Sequence, residues 1–330
     1  MSKILTYAII FFIILGAMGQ KKGTHFSLSP HTVIGLSYAQ THLLDGKGTI
    51  VAVVDEGFDA SHKALTLSAY RYNTRNNSGD ISESVFFKDG KYSFESHGTH
   101  VAGIILGLAP QTEIIPIKVL GIGGDQAFVK ALNIAASSPA HIVNISMRLS
   151  YTHKKLNPNI RDALLHLAKE GKLIVIAAGN EGLSLMENAY TKSLVELAHN
   201  PLMEGRLLLA GASSYKNGTE TLAKFSNFPG NNSLQFAQSY FITAPGEQIT
   251  STVTGGGIGE KSGTSMAAPM IVGAASLLKQ AFPHFKAEEI TRLLLTSARS
   301  ISLEGTDLPD AYFGAGIVNL RAALEQGSST

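Results

Sequence analysis

Five short apolar runs recur along the chain: Ile50 to Val54, Glu113 to Val119, Ile142 to Ile145, Leu173 to Ala177 and Leu207 to Ala210. All but the last are rich in β-branched residues and all are too short for buried helices, so they are predicted as strands. Their apolar positions are consecutive rather than alternate, as in strands of a parallel sheet buried on both faces. Between them, Phe128 to Ala136, Ile160 to Glu170 and Leu194 to Ala198 are predicted as helices. The alternation implies an α/β fold, a parallel sheet covered by helices on both faces. Two further helices are expected. One is the small apolar run after Ser265, and the other is Ala287 to Arg299, which carries Ile290, Leu293 and Leu294 on one face. The polar stretches 71–80, 151–159 and 226–233 are predicted as surface loops.

Three blocks on this frame carry candidate chemistry. Asp55 ends the run Val51-Ala-Val-Val-Asp55 and emerges at the carboxyl end of a strand, where open α/β sheets place their ligands. In Ser96-His97-Gly98-Thr99-His100, Gly98 lets backbone pass close to His97, and Val101 to Leu108 suits a helix packed under the sheet. In Ser262-Gly263-Thr264-Ser265, Gly263 permits a tight turn and Ser265 begins a helix, where free N–H groups favour a developing oxyanion. A hydroxyl is a poor nucleophile at neutral pH. It needs a base within hydrogen-bond reach and a third group to fix the tautomer of the base. Asp55, His97 and Ser265 supply these parts, and Asn180, after Leu173 to Ile176, supplies an amide N–H for a tetrahedral intermediate. Each residue also has a plain reading: a strand-end carboxylate, a core histidine, an N-cap serine and a turn asparagine. The four together, in this order and with these flanks, favour catalysis.

From roughly Tyr38 to Leu320 the chain resembles the subtilisin-like serine peptidases. The resemblance implies a three-layer subtilisin-like architecture and a serine endopeptidase working through an acyl-enzyme. By it Asp55 orients the base, His97 is the base and Ser265 is the nucleophile. Asn180 and the Ser265 backbone N–H form the oxyanion hole, while His100 is structural. Lys118-Val-Leu-Gly121 leading to Gly123, and Asn144-Ile-Ser146, resemble the edges on which this family lays an extended substrate as an added strand. Gly121, Gly123, Ser146 and Gly179 are therefore substrate-binding candidates. Ala244-Pro-Gly246 and Tyr312 to Asn319 agree with the same family. The alternative is a catalytically silent subtilisin-like binding protein, or a latent enzyme needing a partner.

The chain departs from the family pattern in four places. Glu56 stands where a hydroxyl residue usually follows the catalytic Asp, and it either modulates the site or points to solvent. The insertion that wraps a calcium ion in many relatives is missing after Gly103, and Ala64 replaces a carboxylate often used for that ion. Calcium takes about six to eight oxygen ligands, so little stabilisation by calcium is expected, with weak binding left open and no cofactor required. Arg148 occupies a place where the family's cleft is usually lined by Gly, and the resemblance implies that Glu181 lies at the rim of the primary specificity pocket. Arg148 either narrows the cleft or faces solvent. Finally, residues 20–37 are too few for a folded prodomain.

Composition adds limits. At 330 residues, 44% hydrophobic and 16% charged, with motifs throughout, the chain is expected to form one catalytic domain over 38–322. The segment 20–37 precedes it, and 323–330 is a C-terminal tail. The formal net charge of +2 is too small to call for nucleic acid or an anionic membrane as partner. The resemblance implies protein or peptide substrates, and a monomer is expected. Without cysteine there is neither a disulfide nor a thiolate metal site. Lys3 and the apolar stretch Ile4 to Met18, with small Ala17 and Gly19, form a signal peptide over 1–19 and imply a secreted or periplasmic protein. An uncleaved anchor over 4–18 is the alternative, although it is shorter than the roughly 20 residues that span a bilayer.

Overall fold

The computed structural model describes residues 33–329, apart from 89–90, 120–123, 150, 153–154, 188, 217, 232–236 and 302–310. Helix α1 (Leu36–Thr41) precedes β1 (Ile50–Asp55), the short β2 (Tyr72–Asn73) and the paired β3 (Val85–Lys88) and β4 (Lys91–Phe94). Then come α2 (His97–Leu108), β5 (Glu113–Lys118), α3 (Gly124–Ser137) and β6 (Ile142–Ile145). The pair β7 (Tyr151–Thr152) and β8 (Lys155–Leu156) leads to α4 (Pro158–Lys169), β9 (Leu173–Ala177) and α5 (Ala189–Ala198). Strands β10 (Leu207–Lys216), β11 (Thr219–Leu222), β12 (Phe241–Pro245), β13 (Ile249–Val253) and β14 (Gly257–Lys261) follow. Helices α6 (Thr264–Ala281), α7 (Ala287–Thr296) and α8 (Leu320–Gly327) close the chain.

The central sheet runs β11-β10-β9-β6-β1-β5-β2, with β12 also paired to β10. Every pairing in it is parallel except β10 with β11. The side-chain period of two divides each strand between two cores. Val51 and Val53 of β1 pack with residues of α2 and α6, whereas Ala52 and Val54 pack with residues of α3 and α4. Fully burying each such valine is worth about 1.5–3 kcal/mol, which explains why these strands are apolar throughout. The same alternation turns Asp55, two residues after Val53, toward the face covered by α2. The result is the expected α/β architecture, a mainly parallel sheet between layers of helices.

Several segments differ from the sequence reading. Within the predicted loop 151–159, residues 151–152 and 155–156 form β7 and β8, and 158–159 begin α4, where the Asn157 side chain accepts from the Asn159 N–H at 2.8 Å and Pro158 opens the helix. Strands of two residues leave no periodicity to read. Strand β10 runs on past Ala210 through the small residues Gly211, Ala212 and Ser213, because β9, β11 and β12 pair with different parts of it. Ser226 and Asn227, predicted on a surface loop, are 1% and 2% exposed. The stretch drawn as a tail from 323 starts inside α8, where Ala323 and Leu324 are buried. The backbone N–H of Leu320 donates to the Ile34 carbonyl at 2.9 Å, which ties residue 34 to the start of this last helix.

Helices α2 and α6 cross at a glycine: a Cβ added at Gly273 would lie 2.9 Å from Cβ of Leu108. Gly273→Val is expected to lower stability by about 1–3 kcal/mol through overpacking, read as a lower urea midpoint at unchanged slope.

Candidate active site

Asp55 is fully buried, with its Oδ1 accepting from the Glu56 backbone N–H and from His97 Nδ1, both at 2.8 Å. The neutral imidazole is thereby fixed with its proton on Nδ1, leaving Nε2 as an acceptor. His97 begins α2, and its side chain is 21% exposed. The approach of α2 to β1 rests on Gly98, where a Cβ would lie 2.2 Å from the Gly57 carbonyl oxygen and 3.0 Å from Cβ of Asp55. A residue that sequence reasoning missed holds this helix start from the other side. The buried Glu83 carboxylate accepts from the Ser96 N–H at 2.9 Å and from the Thr99 N–H at 3.4 Å, and also pairs with the Thr99 hydroxyl. Its sequence neighbourhood, Ile81-Ser-Glu83-Ser, gives no signal of this, because the contact is made by a loop distant in sequence from the helix it caps.

Ser265 lies in the first turn of α6. Lys261, just ahead of that helix, donates to the Glu95 carbonyl at 3.0 Å, which brings the start of α6 to the start of α2. The Ser265 hydroxyl donates to the Ser146 carbonyl at 2.9 Å, and no hydrogen bond joins it to His97. In return the Ser146 hydroxyl donates to the Ser265 carbonyl at 2.9 Å and accepts from Asn144 Nδ2 at 2.9 Å. Pro269 explains why that carbonyl is free: it has no N–H to bond four residues back within the helix. Asn180 Oδ1 accepts from the Thr264 N–H at 2.8 Å and from the Thr264 hydroxyl at 2.9 Å. Its Nδ2 donates to no described residue. A Cβ at Gly263 would sit 3.3 Å from Asn180 Nδ2 and 3.6 Å from the Ser265 nitrogen, so both donors border the space that Gly263 leaves open. Two N–H donors around one small space suit an anionic oxygen.

Strands β6 and β9 are neighbours, and the segments leaving them meet through side chains. Arg148 Nη1 lies 3.5 Å from Glu181 Oε1, with the two side chains 51% and 38% exposed. Asn227, missed on the sequence because it fell in an apparent loop, orders the second segment. Its Oδ1 accepts from the N–H groups of Glu181 and Leu183, and its Nδ2 donates to the Ala178 carbonyl and to Glu181 Oε2. Gly179 sits against it, since a Cβ there would lie 2.4 Å from Asn227 Nδ2. Gly121 and Gly123 fall outside the described residues.

Negative charge dominates around His97. Burial pushes the Glu56 carboxyl above the usual range, and Asp55, Glu95 and Glu83 push it further. Burial also raises Glu83, against the hydrogen bonds from Thr99 and Ser96. For His97 burial acts downward, but the charge and hydrogen bond of Asp55, aided by Glu56, outweigh it and raise the imidazole above its ordinary value. His100 behaves differently: burial lowers it to about 4, and its Nε2 serves the carbonyls of Ile249 and Gly259. No group of three His, Asp or Glu side chains converges as metal ligands among the described residues. Helix α2 runs unbroken from His97 to Leu108, and His62, bonded to the Gly257 carbonyl, occupies the turn before Ala64.

The sequence pattern of the subtilase family (peptidase S8) matches residues 46–316. Subtilisin BL of Lederbergia lenta is 30% identical over 292 residues, covering 85% of this chain and 92% of the relative. Among solved structures, fervidolysin from Fervidobacterium pennivorans, a keratinolytic enzyme related to subtilisin, superposes with a TM-score of 0.68 at 26% identity. That match takes in 88% of this chain and 44% of fervidolysin. A lanthipeptide protease shares the fold at a TM-score of 0.68 and 20% identity, over 91% of this chain and 94% of its own. With the family pattern matched over most of its length on a subtilisin-like fold, the chain belongs to the subtilase family of serine peptidases.

Proposed function

We propose that this chain is a secreted serine endopeptidase in which Ser265 attacks the peptide carbonyl. His97 takes the hydroxyl proton on Nε2 and passes it to the leaving amine, while Asp55 holds the imidazole and offsets its charge. Asn180 Nδ2 and the Ser265 N–H receive the oxyanion, each such donor lowering the barrier by about 3 kcal/mol. Water then hydrolyses the acyl-enzyme, and no metal enters any step. The observation that carries this reading is the 2.8 Å bond from His97 Nδ1 to the buried Asp55, which leaves Nε2 as the basic atom.

One observation favours a latent enzyme instead: the Ser265 hydroxyl donates to Ser146 rather than to His97. A rotation about the Ser265 Cα–Cβ bond redirects it, and such bonds often tighten only around substrate. Ser146, Gly179 and the 121–123 segment would receive an extended protein or peptide substrate, and the Arg148–Glu181 pair narrows the entrance to the primary specificity pocket. Secretion rests on residues 1–19, which lie outside the described residues, with an anchor over 4–18 as the alternative. Among the described residues no helix is long and apolar enough to cross a membrane.

The direct test is a fluorophosphonate probe with mass mapping. Ser265 alone is expected to be modified and Ser265→Ala to stay unlabelled, whereas a folded, unreactive wild type contradicts the reading. The rising limb of kcat/KM against pH is expected above the ordinary imidazole value of about 6.5, since His97 must be neutral to act. Glu56→Gln removes a negative charge that favours the imidazolium, so the limb should move to lower pH; a limb that stays in place would separate Glu56 from the site. In a library of peptides differing at the residue before the cleaved bond, Arg148→Gly should accept larger side chains than wild type, and an unchanged profile would mean that Arg148 faces away from substrate.

A further inference from the structure

At the amino-terminal end of the sheet, away from Ser265, a cavity of about 330 Å³ lies between the starts of β6 and β9 and the turn joining α6 to α7. Four cations line it, Lys172, Arg206, Lys279 and Lys286, against two carboxylates, Glu170 and Glu288. Glu288 is paired with Arg206, and Glu170 lies 3.8 Å from His166 on its own helix. Among the described residues, no carboxylate stands within ion-pair distance of Lys172, Lys279 or Lys286.

These cations are not simply solvated. Lys172 is 9% exposed and gives one N–H to the Ser138 carbonyl at 2.7 Å. Lys279 donates to the carbonyls of Pro283 and Phe285, each at 2.7 Å. An ammonium carries three donors, so both retain N–H groups without a described acceptor. The buried Nε of Arg206 has no partner either. His141, on the same wall, accepts the Ile50 N–H on Nδ1 at 3.1 Å, so its neutral ring carries the proton on Nε2 as one more donor. Burial lowers the pKa of Lys172 against the attraction of Glu170 and that of Lys279 against the attraction of Glu289, and burial with these two lysines lowers His141. Donors exceed acceptors here, and positive charge exceeds negative charge in a partly desolvated space. Partly desolvated charge without an ion partner is unfavourable, and an anion with several acceptor oxygens would relieve both imbalances.

We propose that this cavity binds a small free oxyanion of the phosphate or sulfate class, held by Lys172, Lys279 and Arg206 with Lys286 at the rim. A tetrahedral oxyanion offers several cationic donors more acceptor oxygens than the two of a carboxylate. The bound anion would tie the starts of β6 and β9 to the α6–α7 turn and stabilise the folded chain by mass action. The lysines also serve the chain ends after α3 and α6, and that role alone requires no anion. The inference is independent of the peptidase reading, since none of these residues touches the Ser265 region.

The test is calorimetric titration of the full chain with inorganic phosphate, alongside Lys286→Glu and Lys172→Met, and with chloride at matched ionic strength. Lys286 is exposed, so its reversal is expected to leave the circular dichroism spectrum unchanged even where Lys172→Met disturbs folding. Saturable one-to-one binding of phosphate, weakened about tenfold or more in Lys286→Glu and absent with chloride, supports the site. Absence of saturable heat in the wild type, or equal phosphate binding by wild type and Lys286→Glu, overturns it.

Discussion

A carboxylate with no solvent exposure at the end of a central strand is the constraint around which this molecule is arranged. Burying Asp55 is unfavourable unless its charge is paired and its oxygens are bonded. The chain meets that demand at Oδ1, with the neighbouring Glu56 N–H and the His97 imidazole, while the buried Oδ2 has no hydrogen-bond partner among the described residues. For His97 to arrive, α2 must come within contact of β1, which requires a residue without a side chain at 98. The helix start is in turn held by Glu83 and, through the Thr99 and His100 carbonyls, by hydroxyls of β13. Loosening any of these contacts would act on the orientation of the imidazole before it acted on the sheet.

The second half of the candidate site is built on the same logic of freed backbone groups. Pro269 leaves the Ser265 carbonyl without its helical partner, and Ser146 takes it. Thr264 takes the oxygen of Asn180 and so leaves the Asn180 NH₂ free. Groups that would be satisfied inside a regular helix or turn are redirected across the cleft, so parts contributed by β6, β9 and α6 are held at fixed separation. In the proposed mechanism this pre-organisation is what lets two weak donors act together on a transient charge.

The electrostatic surroundings are uneven. Asp55, Glu56, Glu83 and Glu95 gather near one imidazole, with Lys261 as a counterweight. Such an environment favours the imidazolium, which helps a step that creates that charge but moves the neutral base toward higher pH. The opposite end of the sheet has the reverse balance, with lysines in excess. A formal net charge of +2 conceals both features, because it sums over regions of opposite sign.

Much of this was legible from the chain alone. Consecutive apolar residues in 50–54 and 173–177 gave strands and their buried setting, since a strand covered on both faces leaves no room for alternation. The small-residue blocks around Asp55, His97 and Ser265 carried the family likeness because close approach of backbone tolerates few side chains. Only the tertiary structure decided what depends on contacts distant in sequence: Glu83 capping α2, Asn227 ordering the 178–183 segment, and Arg148 meeting Glu181. It also decided that residues 151–152 pair with 155–156 and that 323–327 are helical, since two-residue strands and a short terminal helix gain their stability from neighbours rather than from their own pattern. Local pattern reports what a segment must bury, whereas the partner of a single polar side chain is chosen by the fold that brings the two together.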